Sequence, residues 1–416
     1  MGHLTALIIW SIAFLGILGM LVRPRGIAEA WWAGGSALLL VVTGLFPLKQ
    51  AGLAIRGGLD VYLFLAGMMI LAEIAREEKV FDWVASIAAQ HAEGSPRRLF
   101  VLIYVAGAII TALLSNDATA VVLTPAVLAI VRRVKAQPKP YLLACALIAN
   151  AASFVFPISN PANLVIFGAR MPPLLEWLRF FLWPSIVSIT VTYFCLCWLS
   201  RKELHGDIEG GAHPFELTRE GQLALAGLLI SAAALIFASA LGWPLGATTC
   251  VAASFVLVLV TLRDRRVLPN VVRGVSWSML PLVAGLFVIV EALQNAGAMR
   301  LFLTALAHLA GTSEFVGKFA AGFAVAVISN GMNNLPMGLI AGNVLRYSGQ
   351  NGIVAHALLI GVDLGPNLSV TGSLATILWL VALRREQVEI TAWEFLKTGI
   401  VVMPLALAAS LLVLLR

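Results

Sequence analysis

Apolar runs near twenty residues long recur from one end of this chain to the other. A run of that length spans the roughly 30 Å hydrocarbon core of a bilayer as a helix, because a helix pairs its backbone N–H and C=O groups internally and lipid offers them no other partner. Charge content agrees: Asp, Glu, Lys and Arg make up 12% of the 416 residues, about half the share in a soluble domain. The chain is therefore predicted to be an all-α polytopic membrane protein. In that setting the net charge of +7 is not a nucleic-acid signal but a sign of Lys and Arg in cytoplasmic loops. The first run follows Met1-Gly2-His3 with no basic leader and no small-residue cleavage site, so it is expected to be a retained helix.

Some of the runs are interrupted. The stretch Leu113–Pro125 sets Ser115-Asn116-Asp117 between two apolar arms. Each arm has about sixteen residues and reaches about 24 Å as a helix, too short to span alone. Residues 99–133 therefore read as a re-entrant hairpin with a polar tip inside the membrane. A second hairpin is expected over 315–347, with Ser329–Pro336 at its tip. Two more runs, 141–169 and 352–383, are broken at Phe156–Asn163 and Gly365–Ser373. Non-helical backbone at such depth is tolerated only where protein or a wet cavity surrounds it.

The remaining spans are expected at 4–22, 27–46, 59–75, 176–200, 221–241, 244–262, 275–293 and 395–415, with polar connections at 76–98 and 201–220. Ala66-Gly67 and Glu73 recur as Ala284-Gly285 and Glu291; Ser115-Asn116 recurs as Ser329-Asn330; Pro157–Asn160 is echoed by Ser369–Gly372. This order divides the chain into N-terminal spans (1–58), a first repeat (59–200), a linker with connecting spans (201–274) and a second repeat (275–416). Paired interruptions in a weak internal repeat point to a secondary transporter, not an enzyme. Loops 23–26, 76–98, 132–139, 201–220, 263–273 and 384–397 fall on one side and hold 20 of the 28 Lys and Arg. The positive-inside rule makes that side cytoplasmic and both termini external. The repeats are then inverted.

Four half-helices begin at the interruptions. Ser115, Asn116 or Asp117 is placed to cap the first, Asn160 the second, Asn333 or Asn334 the third, and Thr371 or Ser373 the fourth. These residue types cap helices, and Pro161 suits a first helical position. Each such end presents unpaired N–H groups and a partial positive charge. Asn116, Asn160, Asn163, Asn330, Asn333, Asn334, Thr371 and Ser373 are the candidate substrate ligands. Asp117 and Asp363, the acidic residues at the breaks, are the candidate proton carriers, because an ionisable group inside a membrane is costly unless it has a task. The plainer reading of either is a capping carboxylate, and that of Glu73 and Glu291 is solvated residues at span ends. Cys145, Cys195, Cys197 and Cys250 lie in apolar runs without ligand spacing and read as small packing residues. No metal site or cofactor is expected.

The stretch Ser115–Pro125, the tip Asn333-Asn334-Leu335-Pro336, and Ile360–Pro366 through Thr371–Thr376 resemble the arsenical pump membrane protein family, ArsB. That resemblance implies the ion-transporter-superfamily fold, with about ten spans plus two re-entrant hairpins. It further implies multi-pass insertion in the bacterial inner membrane, efflux of arsenite and antimonite coupled to inward proton movement, and arsenic resistance. Such carriers work alone or, in some systems, with a soluble ArsA-type ATPase. The sequence departs from the family at the second break, which reads Ser369-Val370-Thr371-Gly372-Ser373 in place of the usual Thr-Pro-Ile-Gly-Ser. A sodium-linked carboxylate symporter or sodium/proton antiporter of the same superfamily is the alternative. An intramembrane aspartyl protease using Asp117 and Asp363 would leave the inverted repeat unexplained.

Overall fold

The computed structural model describes residues 3–168, 171–209, 215–297, 314–348 and 352–416, so the middle of the 201–220 connection lies outside the described residues. The first half of the chain runs through α1 (His3–Val22), α2 (Glu29–Val42), α3 (Leu48–Gly57), α4 (Leu59–Glu77), α5 (Val80–His91), α6 (Pro96–Leu113), α7 (Thr124–Arg133), α8 (Pro138–Ala151), α9 (Pro161–Phe167) and α10 (Leu174–Leu199). The second half comprises α11 (Arg219–Ala240), α12 (Leu245–Arg263), α13 (Val267–Gly274), α14 (Met279–Asn295), α15 (Glu314–Met332), α16 (Asn334–Ser348), α17 (Ile353–Leu364), α18 (Leu374–Arg385) and α19 (Ala392–Leu414). Among the described residues every regular element is helical.

Among the described residues eight helices, one of them α13 and α14 taken together, are long and apolar enough to cross a bilayer by length and composition. Two of these, α6 and α15, are nevertheless hairpin arms, and the neighbouring helices show why. The Tyr141 hydroxyl donates to the Pro96 carbonyl at 3.0 Å, and the Ser159 hydroxyl to the Ala112 carbonyl at 3.0 Å. In between, a Cβ on Gly107 would come within 2.9 Å of Ile148. Contacts therefore advance together along α6 and α8, so the two run parallel and α7 must return between them. The Ile208 and Glu209 N–H groups reach the Gly94 and Val134 carbonyls at 2.9 and 3.0 Å, which puts both ends of the hairpin on one face. The same holds in the second half. Gly322 meets Gly361, while Ala326 and Ser329 meet Gly365, so α15 and α17 are parallel and α16 returns. Crossings are then made by α1, α2, α4, α8–α9, α10, α11, α12, α14, α17–α18 and α19. Four crossings lie between α4 and α14, an even number, so these two run in opposite directions and the repeats are inverted.

Three elements lie where no span was expected. The segment 76–98 is not merely a polar connection: α5 occupies most of it and buries Val80, Phe81, Ala85, Ala88 and Ala89. Short α3 and α13 precede α4 and α14 at matching places. Each carries apolar and polar residues at helical spacing (Leu48, Ala51 and Leu53 with Lys49 and Arg56; Val267 and Val271 with Asn270 and Arg273), a pattern suited to an interface. Apart from α5, the element order of 1–200 thus recurs among the described residues from residue 219, with α2 packed on α14 as α12 is on α4.

Loops expected on one side are tied together there. Arg132 donates to the Glu386 carbonyl at 2.7 Å, Lys139 pairs with Glu394 at 2.6 Å, Lys135 pairs with Glu209, and Asn270 donates to Glu77 at 2.5 Å. Between the halves, Asn150 Nδ2 donates to Asn367 Oδ1 at 3.0 Å and Asn367 Nδ2 to the Leu147 carbonyl at 3.1 Å. This buried amide pair ties one broken crossing to the other, with the Asn150 Oδ1 left unpartnered.

Candidate functional site

Local chemistry builds the first tip. The α6 helix stops at Leu113, and the Ser115 hydroxyl accepts the Ala118 N–H at 3.2 Å, a cap for the return arm. Pro125 has no N–H to give, and the turns before it, Ala118–Leu123, open to π-helical geometry. Such wide turns are rare and often sit at functional sites. The result places Asp117 in the wall of a cavity of about 90 Å³, room for a few waters or one small solute. Its wall also includes Ser115, Pro161 at the start of α9, Met279 and Glu73. Two half-helix N-termini therefore reach this cavity, and it extends to the Lys- and Arg-rich end of α4. Among the described residues Glu73 and Asp117 are the ionisable side chains in its lining, with no Lys, Arg or His.

One short step away, Asn160 caps α9 by accepting the Ala162 N–H at 3.0 Å and donates to Asp363 Oδ1 at 2.8 Å. Asp363 is fully buried, and its Oδ2 makes no hydrogen bond of ordinary geometry, though the Ser153 side chain, whose hydroxyl donates to the Asn150 carbonyl, lies beside the carboxyl. Burying a carboxylate oxygen without a donor is expensive, so this oxygen calls for a proton or a bound species.

The remaining candidates do not converge on the cavity. Asn163 donates to the carbonyls of Ser153, Phe156 and Pro157 at 3.0, 3.4 and 3.3 Å, bracing the break from within. Asn330 donates to Ala326 and Gly365 at 2.8 and 2.9 Å and accepts from the Ser369 N–H and hydroxyl at 3.1 and 2.7 Å. Its carbonyl takes the Thr371 hydroxyl at 2.9 Å. Asn330 and Thr371 are thus spent on holding the second break. Asn116 is buried beside Asp117, with its Oδ1 unpartnered. Asn333, in left-handed backbone at φ 78°, caps α16 through the Leu335 N–H at 3.3 Å and borders a separate cavity of about 20 Å³. Asn334 is buried at the start of α16, and Ser373 precedes α18 without capping it through its hydroxyl. Among the described residues no three His, Cys, Asp or Glu gather as a metal site.

Glu73 is the site residue that sequence reasoning undervalued. Its echo in Glu291 marked it, but a span end looked solvated. In the structure it is 8% exposed and accepts both Nε and Nη2 of Arg76, at 2.8 and 2.7 Å. Gly274 lies against it so closely that a Cβ there would overlap the carboxylate.

Comparisons with known proteins agree on the class. A family model described as "Citrate transporter" (CitMHS) matches residues 5–362. The chain is 27% identical over 404 residues to an arsenical pump membrane protein of Yersinia enterocolitica, covering 94% of each chain. It is 28% identical over 407 residues to one of Escherichia coli K12, again covering 94% of each. A putative arsenical pump membrane protein of Bacillus subtilis is 26% identical over 431 residues, 96% of each. Among solved structures, the Alcanivorax borkumensis YdaH transporter superposes with a TM-score of 0.57 at 15% identity, over 88% of this chain and 86% of that one, a likeness of fold alone.

Proposed function

This chain belongs to the citrate transporter (CitMHS) family, and from that premise we propose that it exports arsenite, with antimonite as a second substrate, in exchange for protons moving inward. It is a multi-pass bacterial membrane transporter. In this reading the Lys- and Arg-rich face is cytoplasmic, transport is secondary active, and Asp117 carries the proton, with Asp363 as a second carrier.

The cavity lining carries the argument for substrate. A tricarboxylate needs cationic groups or metal to offset its charge, and a wall whose ionisable groups are Glu73 and Asp117 repels it. Arsenite near neutral pH is mainly the uncharged trihydroxide, a small donor and acceptor. The Ser115 hydroxyl and the Asp117 carboxyl in that wall suit such a solute without a cationic clamp. The names of the arsenical pump relatives support the same choice. Asp117 supports the coupling, since a carboxyl that shares a small cavity with the solute links binding to its own protonation. An ArsA-type ATPase is not needed for this scheme.

The test is arsenite uptake into everted membrane vesicles under an imposed proton gradient and then a sodium gradient. The expected result is uptake driven by protons and indifferent to sodium. Sodium-driven uptake of a carboxylate, with no arsenite movement, would overturn the reading in favour of a carboxylate symporter.

A further inference from the structure

Glu73, near the end of α4 towards the basic face, lines the same cavity as Asp117. We infer that Glu73 is the specificity-determining residue at the mouth of this cavity: it passes uncharged and cationic solutes to Asp117 and turns anions away. The inference deepens the arsenite reading and rests on it for the identity of the solute, though not for the behaviour of the mouth.

Three observations place the charge. Glu73 is in the wall of the cavity that holds Asp117. The Arg76 fork grips both carboxylate oxygens, so the group has one orientation. On the opposite side Gly274, the last residue of α13, leaves the space the carboxylate fills. Arg76 offsets the field inside only in part. Its side chain is 51% exposed while that of Glu73 is 10% exposed, so water screens the cation far more than the anion. A low-dielectric wall with one sign of charge focuses that field into the cleft. Rejection by charge is also cheap specificity, because it needs no extra contact with the accepted solute.

The mouth can be probed without arsenite. In a background lacking the four native cysteines, Val121→Cys puts a thiol in the cavity lining, one turn from Asp117. Everted vesicles expose this face to two thiol reagents of similar size, one with a quaternary ammonium and one with a sulfonate. Rates are normalised to those with a free thiol. The expected result is labelling several-fold faster by the cationic reagent. Glu73→Gln should collapse that ratio towards one, and Arg76→Gln should raise it. An unchanged ratio in Glu73→Gln, or a thiol that neither reagent reaches, would overturn the inference. If Glu73→Gln does not fold, Arg76→Gln decides alone: a raised ratio supports the filter and an unmoved one rejects it. Arsenite uptake in the same vesicles is read separately. Its failure with the reagent ratios intact would sink the substrate assignment and leave the filter standing.

Discussion

At the first hairpin tip Ser115 caps the return arm and Asp117 borders a cavity of about 90 Å³. At the second, Asn333 caps the return arm and Leu335 stands at the position of Asp117, beside a cavity of about 20 Å³. Counted from the breaks, these pairs are 218 residues apart, the same separation as Glu73 and Glu291. The neighbouring half-helices correspond as well: Pro161 opens α9 at the larger cavity and Leu374 opens α18 at the smaller. One plan thus serves two ends. The first tip keeps a carboxyl beside open space. The second spends its amides on structure, above all Asn330, and has Leu335 where the first has Asp117. Its small cavity is lined by Leu335, Pro336, Leu374 and Ile377 with Glu29, and a larger apolar one of about 130 Å³ lies beside Met332, Ile340 and Asn343. In the proposed scheme only the first half holds the proton, and the second is the brace against which it works.

The largest expected effect removes the difference itself. Asp117→Asn keeps the shape but carries no proton, so proton-driven arsenite uptake should fall to background while the protein elutes and melts like wild type. Uptake that still answers fully to an imposed pH gradient would leave the two tips functionally alike.

Asp363→Asn is expected to slow proton-driven uptake several-fold without unfolding the protein, since an amide oxygen still accepts from Asn160. Full proton-driven rates in this variant would confine coupling to the first tip. The second tip should instead answer to stability. Asn330→Ala strands the Ser369 N–H and takes one partner each from the Ser369 hydroxyl and the Ala326 and Gly365 carbonyls, a loss of about 1–3 kcal/mol, read as an earlier thermal transition in detergent. At the first tip Asn116→Ala should cost under about 1 kcal/mol, because its Oδ1 makes no hydrogen bond to lose. Equal destabilisation by the two alanines would contradict the division into site and brace.

The smallest effect is expected from the thiols. None of the four cysteines lines either tip cavity, and Cys145 is buried in α8. A variant with all four replaced by Ala or Ser should move arsenite within a few-fold of wild type at matched expression. A well-folded cysteine-free protein that moves none would replace the hydroxyl, carboxyl and amide site by a thiol one.

Much of this molecule was legible in the order of its residues. Span lengths, the two hairpins, both broken crossings and the inverted order follow from apolar run length and from polar breaks that lipid would not tolerate. Asn160 was readable as a cap because Pro161 follows it, and the structure shows that bond. The register of the tips was not readable. Ser329-Asn330 echoes Ser115-Asn116 in letters, yet it lies in the last turn of α15, before the break, while Ser115-Asn116 comes after its own. Only the left-handed Asn333 shows where the second arm turns. The short α3, α5 and α13 also escaped, since a helix of 8 to 12 residues leaves no membrane-length signature.

By itself, then, the sequence determined where the chain crosses, where it turns back inside the membrane, and that carboxyl groups stand at the breaks. These are local matters of hydrophobicity, capping and backbone pairing. What only the tertiary structure decided is which polar groups are free to act. Asn330 and Asn163 look like ligands in a line of letters, but packing brings carbonyls to them and uses up their donors. Glu73 looks like a surface charge, but α13 and Arg76 close around it and turn it to the cavity of Asp117. Hydrogen-bond satisfaction is a property of neighbours distant in sequence, so the division of these residues into site and scaffold exists only once the chain has folded.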